Sequence, residues 1–244
     1  MHNIHVENIQ LRTCDCDMYG AWRPSAILEA MQETAGMHSA LLGLDRKTMY
    51  DMNLAWVLSR LKVQMLRMPC ATEKITVETY PTPQKHMFFP RTHIFRDEAG
   101  QMIGSANSLW VLLDIESRRV TKSDVVSSRM PDHRDLQSPL GLPATVRALA
   151  GEAETGHITP KFTDFDTNLH VNNTKYLDWC LNALGAQLLE SKCVKAFDVN
   201  YDAEILPGID VCTRLTCDGE RFAFAGFEGD KQHFAIGGTL ENRE

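Results

Sequence analysis

One stretch of this chain occurs twice. Sliding the sequence by 149 positions (161 − 12) lays Lys161 on Arg12, Asp164 on Asp15, Asp166 on Asp17 and Leu177 on Leu28. The same slide lays Asn168 on Tyr19 and His170 on Ala21. A repeated element restricts the chain to architectures built from two like halves. The differences inside the repeat matter as much as the matches, because only the second copy carries an amide and an imidazole. A duplicated fold with one chemically equipped half would look like this.

Each half has the same order of patterns. In the first, Ile27, Leu28, Met31, Ala35, His38 and Leu42 recur at helical spacing, which predicts a helix over residues 25–42. Pro24 suits its first turn, where the missing N–H costs nothing, and Gly43 suits its end. Val57, Ser59, Leu61, Val63 and Met65 then alternate with their neighbours, the period of a strand over residues 54–66. Further strands are expected at 74–80, 88–95 and 102–114, with D-E-A-G at residues 97–100 as a hairpin turn. In the second half a helix is expected over residues 173–189, followed by strands at 196–203, 210–216, 221–228 and 233–240. A slide of 138 positions (207 − 69) lays Pro207 on Pro69, Val199 on Leu61 and Tyr201 on Val63, and sets Glu204 opposite Leu66. The expected division is an N-terminal domain at 1–132, a linker at 133–150 and a C-terminal domain at 151–244. An apolar helix must bury against one face of an antiparallel sheet. The fold class is therefore α+β, a double hotdog with a long helix and a sheet in each half.

Composition narrows the function classes. A net charge of −7 argues against nonspecific nucleic-acid binding, which needs a positive field. No apolar run approaches the roughly 20 residues of a membrane-spanning helix, and the first residues lack a signal-peptide pattern. A cytoplasmic protein without nucleic-acid or membrane partners is expected. The 7 cysteines are odd in number and irregular in spacing, without a C-x-x-C pair, so neither a disulfide framework nor a zinc site is expected. No other cluster has metal-ligand spacing, and no cofactor is expected.

Asp164, Asp166, Asn168 and His170 lie just ahead of the second helix pattern. A helix N-terminus presents unpaired N–H groups and a positive dipole end, suited to holding a carbonyl oxygen as it becomes an oxyanion. Asn168 is placed to orient a water or a carbonyl, and His170 to move a proton near neutral pH. Glu204 adds a carboxylate where the first copy is apolar; Ile205 and Leu206 beside it are the surroundings that raise a carboxyl pKa. Each residue also has a plainer role. Asp164, Asn172 and Asn173 suit capping. Asp166 has a counterpart in Asp17, so loop shaping competes with catalysis. Only the joint change of Tyr19, Ala21 and Leu66 to Asn168, His170 and Glu204 lifts the chemical reading above the plainer ones. The methionines suit core filling or a pocket for a flexible alkyl chain.

At these residues the chain resembles the acyl-acyl carrier protein (acyl-ACP) thioesterases of plants and bacteria. The resemblance rests on L-E-A-M-Q-E-T-A, L-A-W-V-L-S-R-L-K-V and S-L-W-V-L-L-D in the first half. In the second it rests on D-F-D-T-N-L-H-V-N-N-T-K-Y-L-D-W. It implies a catalytic Asp166, Asn168, His170 and Glu204 in the C-terminal half, with either Glu204 or His170 as the base. It implies an acyl-chain tunnel in the N-terminal half, for which Met31, Met37, Trp56, Leu58 and Met65 are the available lining. Plant members carry a Cys directly after the Glu; Ile205 stands there, which closes a thiolate route through that position. The implied partners are acyl carrier protein and a fatty acyl substrate, with a homodimer left open. Coenzyme A thioesters and a noncatalytic acyl-binding role are the alternatives.

Overall fold

The computed structural model describes residues 4–131, 133, 136 and 138–243, which form two compact units meeting between Pro143 and Ala144. In the first, β1 (His5–Gln10), β2 (Leu54–Met65), β3 (Lys74–Pro81), β4 (Phe89–Arg96) and β5 (Met102–Asp114) form an antiparallel sheet in the order β1-β3-β4-β5-β2. A short β6 (Arg119–Thr121) pairs with β5. Helix α1 (Pro24–Leu41) lies on this sheet, and α2 (Arg46–Asp51) and α3 (Asp124–Arg129) are short helices of 6 residues each. The second unit repeats the plan. β7 (Glu154–Ile158), α4 (Lys175–Leu184), α5 (Ala186–Ser191), β8 (Lys192–Tyr201), β9 (Val211–Cys217), β10 (Arg221–Glu228) and β11 (Lys231–Asn242) give the order β7-β9-β10-β11-β8. Each unit is a hotdog: a helix laid on an antiparallel sheet whose strand order is the same in both.

The expected helices and strands form because their apolar residues share a face. In α1 the buried side is Ile27, Leu28, Met31, Ala35 and His38, and in β2 it is Leu61, Val63 and Met65. Burying each such aliphatic side chain contributes about 1.5–3 kcal/mol. Gly43 ends α1 with a φ of +69°, a conformation that costs glycine little. At the turn 97–100, Asp97 Oδ1 accepts from the amides of Ala99 and Gln101, which fixes the β4–β5 hairpin.

Four expectations need correction. First, the alternation in β2 is not continuous. Ser59 is a bulge, since Leu58 pairs with Trp110 and Arg60 with Leu109, so Val57 turns outward and is exposed. Second, the helix expected at 173–189 starts at Lys175 and breaks at Gly185, whose φ of +82° divides α4 from α5. Third, β1 and β7, which open each unit, were not anticipated. Both are edge strands, each bonded to a single partner. Fourth, the two long strands align with an offset of 136 (202 − 66), not 138. The amides of Leu66 and Arg67 both bond Ile103 O, and those of Asp202 and Ala203 both bond His233 O. Val199 is thus the counterpart of Val63, Tyr201 of Met65, and Glu204 of Met68 in place of Leu66. A two-residue slip keeps every side chain on the same face, so alternation in sequence cannot reveal it.

The segment expected to be a linker is held to both units. Ser138 Oγ donates to Asn107 Oδ1, and Asn107 Nδ2 donates to the carbonyls of Leu140 and Gly141. Ala144 N and Val146 N donate to Asp198 Oδ1 and Asn200 Oδ1. Asp132, Arg134, Asp135 and Gln137 of that segment lie outside the described residues. Among the described residues no helix is long and apolar enough to cross a membrane.

Candidate active site

The loop from Asp164 to Val171 is the second copy of the loop from Asp15 to Trp22, with the same backbone–backbone bonds. The bridge between Phe165 and Val171 matches that between Cys16 and Trp22. Asp166 N bonds His170 O at 3.0 Å and Leu169 N bonds Asp166 O at 3.0 Å, as Asp17 N bonds Ala21 O at 2.8 Å and Gly20 N bonds Asp17 O at 2.9 Å. Asp166 Oδ1 accepts from Asn168 N at 2.7 Å, as Asp17 Oδ1 accepts from Tyr19 N at 2.9 Å. The loop-shaping role of the aspartate is therefore real in both copies. In the second it does more. Its other oxygen accepts from Asn168 Nδ2 at 3.3 Å, and Oδ1 lies 3.8 Å from His170 Nδ1.

His170 Nδ1 also lies 3.4 Å from Val171 O, which can only accept. A proton on Nδ1 serves both neighbours and leaves Nε2 as the acceptor, the tautomer a proton shuttle needs. Asn168 is exposed and His170 part-buried, so both side chains are reachable from solvent. Asp164 Oδ2 accepts from Lys161 N at 2.7 Å and holds the short turn before the loop. Asn172 Oδ1 accepts from Thr174 N and Thr174 Oγ1, both at 3.0 Å, just ahead of α4.

Glu204 follows β8, and its backbone is held from two sides. His233 Nδ1–H donates to Glu204 O at 2.9 Å, and Val171 N donates to Ile205 O at 2.9 Å. The second bond ties the strand exit directly to the loop that carries His170. Ile205 is fully buried, but Leu206 is 45 % exposed, so the apolar surroundings expected on both sides exist on one.

Two residues join the site that sequence reasoning did not single out. Tyr176, on the first turn of α4, is buried and stacks on Phe234 with centroids 4.3 Å apart. Burial, then the charges of Asp166 and Glu204, push its hydroxyl up. The charges of both carboxylates thus bear on the Tyr176 hydroxyl. In sequence Tyr176 falls only within the helix expected over residues 173–189. His233, fully buried in β11, fixes the Glu204 backbone; nothing in sequence distinguishes it from other strand histidines.

Leu169 carries strain between these groups. Its φ is +65°, where the first copy has Gly20 at +84°, and its side chain is 73 % exposed. A left-handed L-residue costs about 1–2 kcal/mol, and a solvated side chain offsets little of it. Leu169→Gly is therefore expected to hold or raise stability by up to about 1 kcal/mol, since glycine's greater unfolded-chain entropy cancels part of the relief. Urea denaturation checks this; a clear loss of stability would mean that the leucine side chain is packed.

The five residues expected to line a tunnel do not share one place. Met31 and Met65 are buried in the N-terminal unit, at 4 % and 3 % exposure. Trp56 packs edge-on against Phe89, beside a separate cluster of Leu44, Met49, Leu54, Leu112 and Val126. Leu58 is part-buried, and Met37 is 47 % exposed on α1. Among the described residues no cysteine forms a disulfide, and Ile205 occupies the position after Glu204.

Residues 2–127 match the acyl-ACP thioesterase N-terminal domain and residues 148–228 the acyl-ACP thioesterase C-terminal domain. The palmitoyl-acyl carrier protein thioesterase of Cuphea hookeriana is 26% identical over 212 residues, 81% of this chain and 51% of that protein. The oleoyl-acyl carrier protein thioesterase of Coriandrum sativum is 26% identical over 196 residues, 73% of this chain and 53% of that one. The chain thus spans about half the length of the curated relatives it matches. Among solved structures, an acyl-ACP thioesterase from Bacteroides thetaiotaomicron superposes with a TM-score of 0.88 at 22% identity, covering 98% of each chain. The 12:0-ACP thioesterase of Umbellularia californica superposes with a TM-score of 0.85 at 20% identity, again over 98% of each. These likenesses carry the fold, and the match of both domain models, over more than half of the sequence, carries the family: this chain belongs to the acyl-ACP thioesterases.

Proposed function

We propose that this protein hydrolyses the thioester of a fatty acyl group on acyl carrier protein, releasing a free fatty acid and the carrier thiol. The observation that carries the reading is the asymmetry of the repeat. The same loop is built twice, and only in the C-terminal unit does it hold Asn168 and His170, bonded through Val171 to the segment of Glu204.

In this reading Asn168 Nδ2–H binds the carbonyl oxygen and holds the oxyanion. Glu204 takes a proton from water as the water oxygen bonds to the carbonyl carbon. The tetrahedral intermediate collapses by breaking the C–S bond, and the departing sulfur receives the proton that Glu204 took from water, directly or relayed through His170 Nε2. Asp166 orients Asn168 and His170. The acyl chain lies in the N-terminal unit, where Met31 and Met65 are the apolar residues available to it.

The test is to offer one acyl chain on carrier protein and on coenzyme A to the purified protein. Hydrolysis favouring the carrier by at least about tenfold in kcat/KM is the expected result. Equal rates, or a preference for coenzyme A, would move the substrate class. No turnover of either, with tight binding of the acyl group, would make the protein an acyl binder.

A further inference from the structure

The repeat also runs the other way: the first unit has polar groups where the second is apolar. Thr79, His93 and Ala106 form one row across β3, β4 and β5. Ala106 pairs with Val63 as Ile236 pairs with Val199, so the matching row in the second unit is Leu215, Phe224 and Ile236. Arg91, two residues from His93 on the same face, has Phe222 as its counterpart. This face looks toward α1: Arg91 Nη1 lies 3.0 Å from His38 Nδ1, and His93 Nε2 lies 3.1 Å from Met31 O. Arg91 is 7 % exposed, and Thr79, His38 and His93 at most 1 %.

The hydrogen-bonding capacity of these groups is unfilled in a specific way. Arg91 Nη1 donates to His38 Nδ1 and, at 3.2 Å, to Thr79 Oγ1, which uses two of the guanidinium's five N–H groups. Among the described residues no carboxylate pairs with it. Burial holds its pKa down to about 10, so it stays a cation at neutral pH. Because Met31 O can only accept, His93 carries its proton on Nε2. Burial, then the Arg91 charge, hold its pKa down to about 3, so the ring is neutral. Nδ1 is then a bare acceptor, and it is buried without a partner. A group that fits here must accept from Arg91 and donate to His93. A hydroxyl does both; a carboxylate or a ketone only accepts. Thr79 and Ala106 are smaller side chains than Leu215 and Ile236, their counterparts in the second unit.

We propose that the interior of the N-terminal unit recognises a hydroxyl carried on an acyl chain, remote from its carboxyl end, through Arg91 and His93. The proposal rests on the reading that this unit holds the acyl chain.

The experiment needs no turnover. Free fatty acids of one length, with the hydroxyl walked along the chain, are titrated into the full-length protein by calorimetry. One hydroxyl position is expected to bind about tenfold tighter than the unsubstituted acid, the scale of one hydrogen bond to a charged group. His93→Phe, which installs the residue of the second unit, should abolish that preference and leave the plain acid within about twofold. The ¹⁵N resonance of His93 Nδ1 in the wild type should move with the preferred hydroxy acid alone, which reads the site even if the variant fails to fold. Equal binding at every position, or a preference that survives His93→Phe, would overturn the proposal and leave the polar groups a purely structural role. Selective binding without hydrolysis of any acyl carrier thioester would sink the hydrolase reading and leave this site standing.

Discussion

Asn168→Ala and His170→Ala are each expected to lower kcat by roughly a hundredfold or more, the scale of losing an oxyanion donor or a general acid–base group. The molecule contains its own control for folding. The first unit builds the same loop, with the same backbone bonds, around Tyr19 and Ala21. Asp166 holds the loop through the amide of residue 168, which an alanine retains. Neither side chain is buried core, so circular dichroism and the melting temperature should stay close to wild type. The two losses should also be far from additive in the double variant, because groups that act on one intermediate fail together. Near-wild-type turnover in either single variant would remove that residue from the mechanism.

Glu204→Gln is expected to bind acyl substrate with little change in KM and to turn it over very slowly. Water attack needs a base, and the position after Glu204 holds the fully buried Ile205 in place of a thiol that could attack directly. The substitution keeps the shape of the side chain. The backbone stays anchored, because the bonds from His233 Nδ1 and Val171 N reach carbonyl oxygens and not the carboxylate. The first unit has Met68 at the matching position, so a carboxylate is not needed to build this strand exit. The wild-type pH–rate profile should fall on its acidic side as the base is protonated, and the variant should lack that limb. Substantial hydrolysis by Glu204→Gln with the limb intact would give the base role to His170 and leave Glu204 as an orienting group.

What the sequence determined by itself was local and periodic. Helix α1, strands β2 to β5 and β8 to β11, and the hairpin at 97–100 follow from spacing and turn chemistry, which act between residues a few positions apart. The two-unit plan and the loop bearing Asn168 and His170 follow from the repeat, because a duplicated segment that differs at few positions shows where the difference lies. Tertiary structure decided the rest. Edge strands β1 and β7 are specified by the partner that bonds them. The bulge at Ser59 is specified by pairing with β5, and the break at Gly185 by where α4 stops packing. The position of Glu204 turned on a two-residue register that leaves the side-chain faces unchanged, so only the carbonyls of Ile103 and His233 distinguish it. Tyr176 falls inside an expected helix, and Arg91 and His93 inside an expected strand, where nothing along the chain marks them. Which donors and acceptors remain open inside a folded unit depends on neighbours far away in sequence, and no pattern of residues along the chain encodes it.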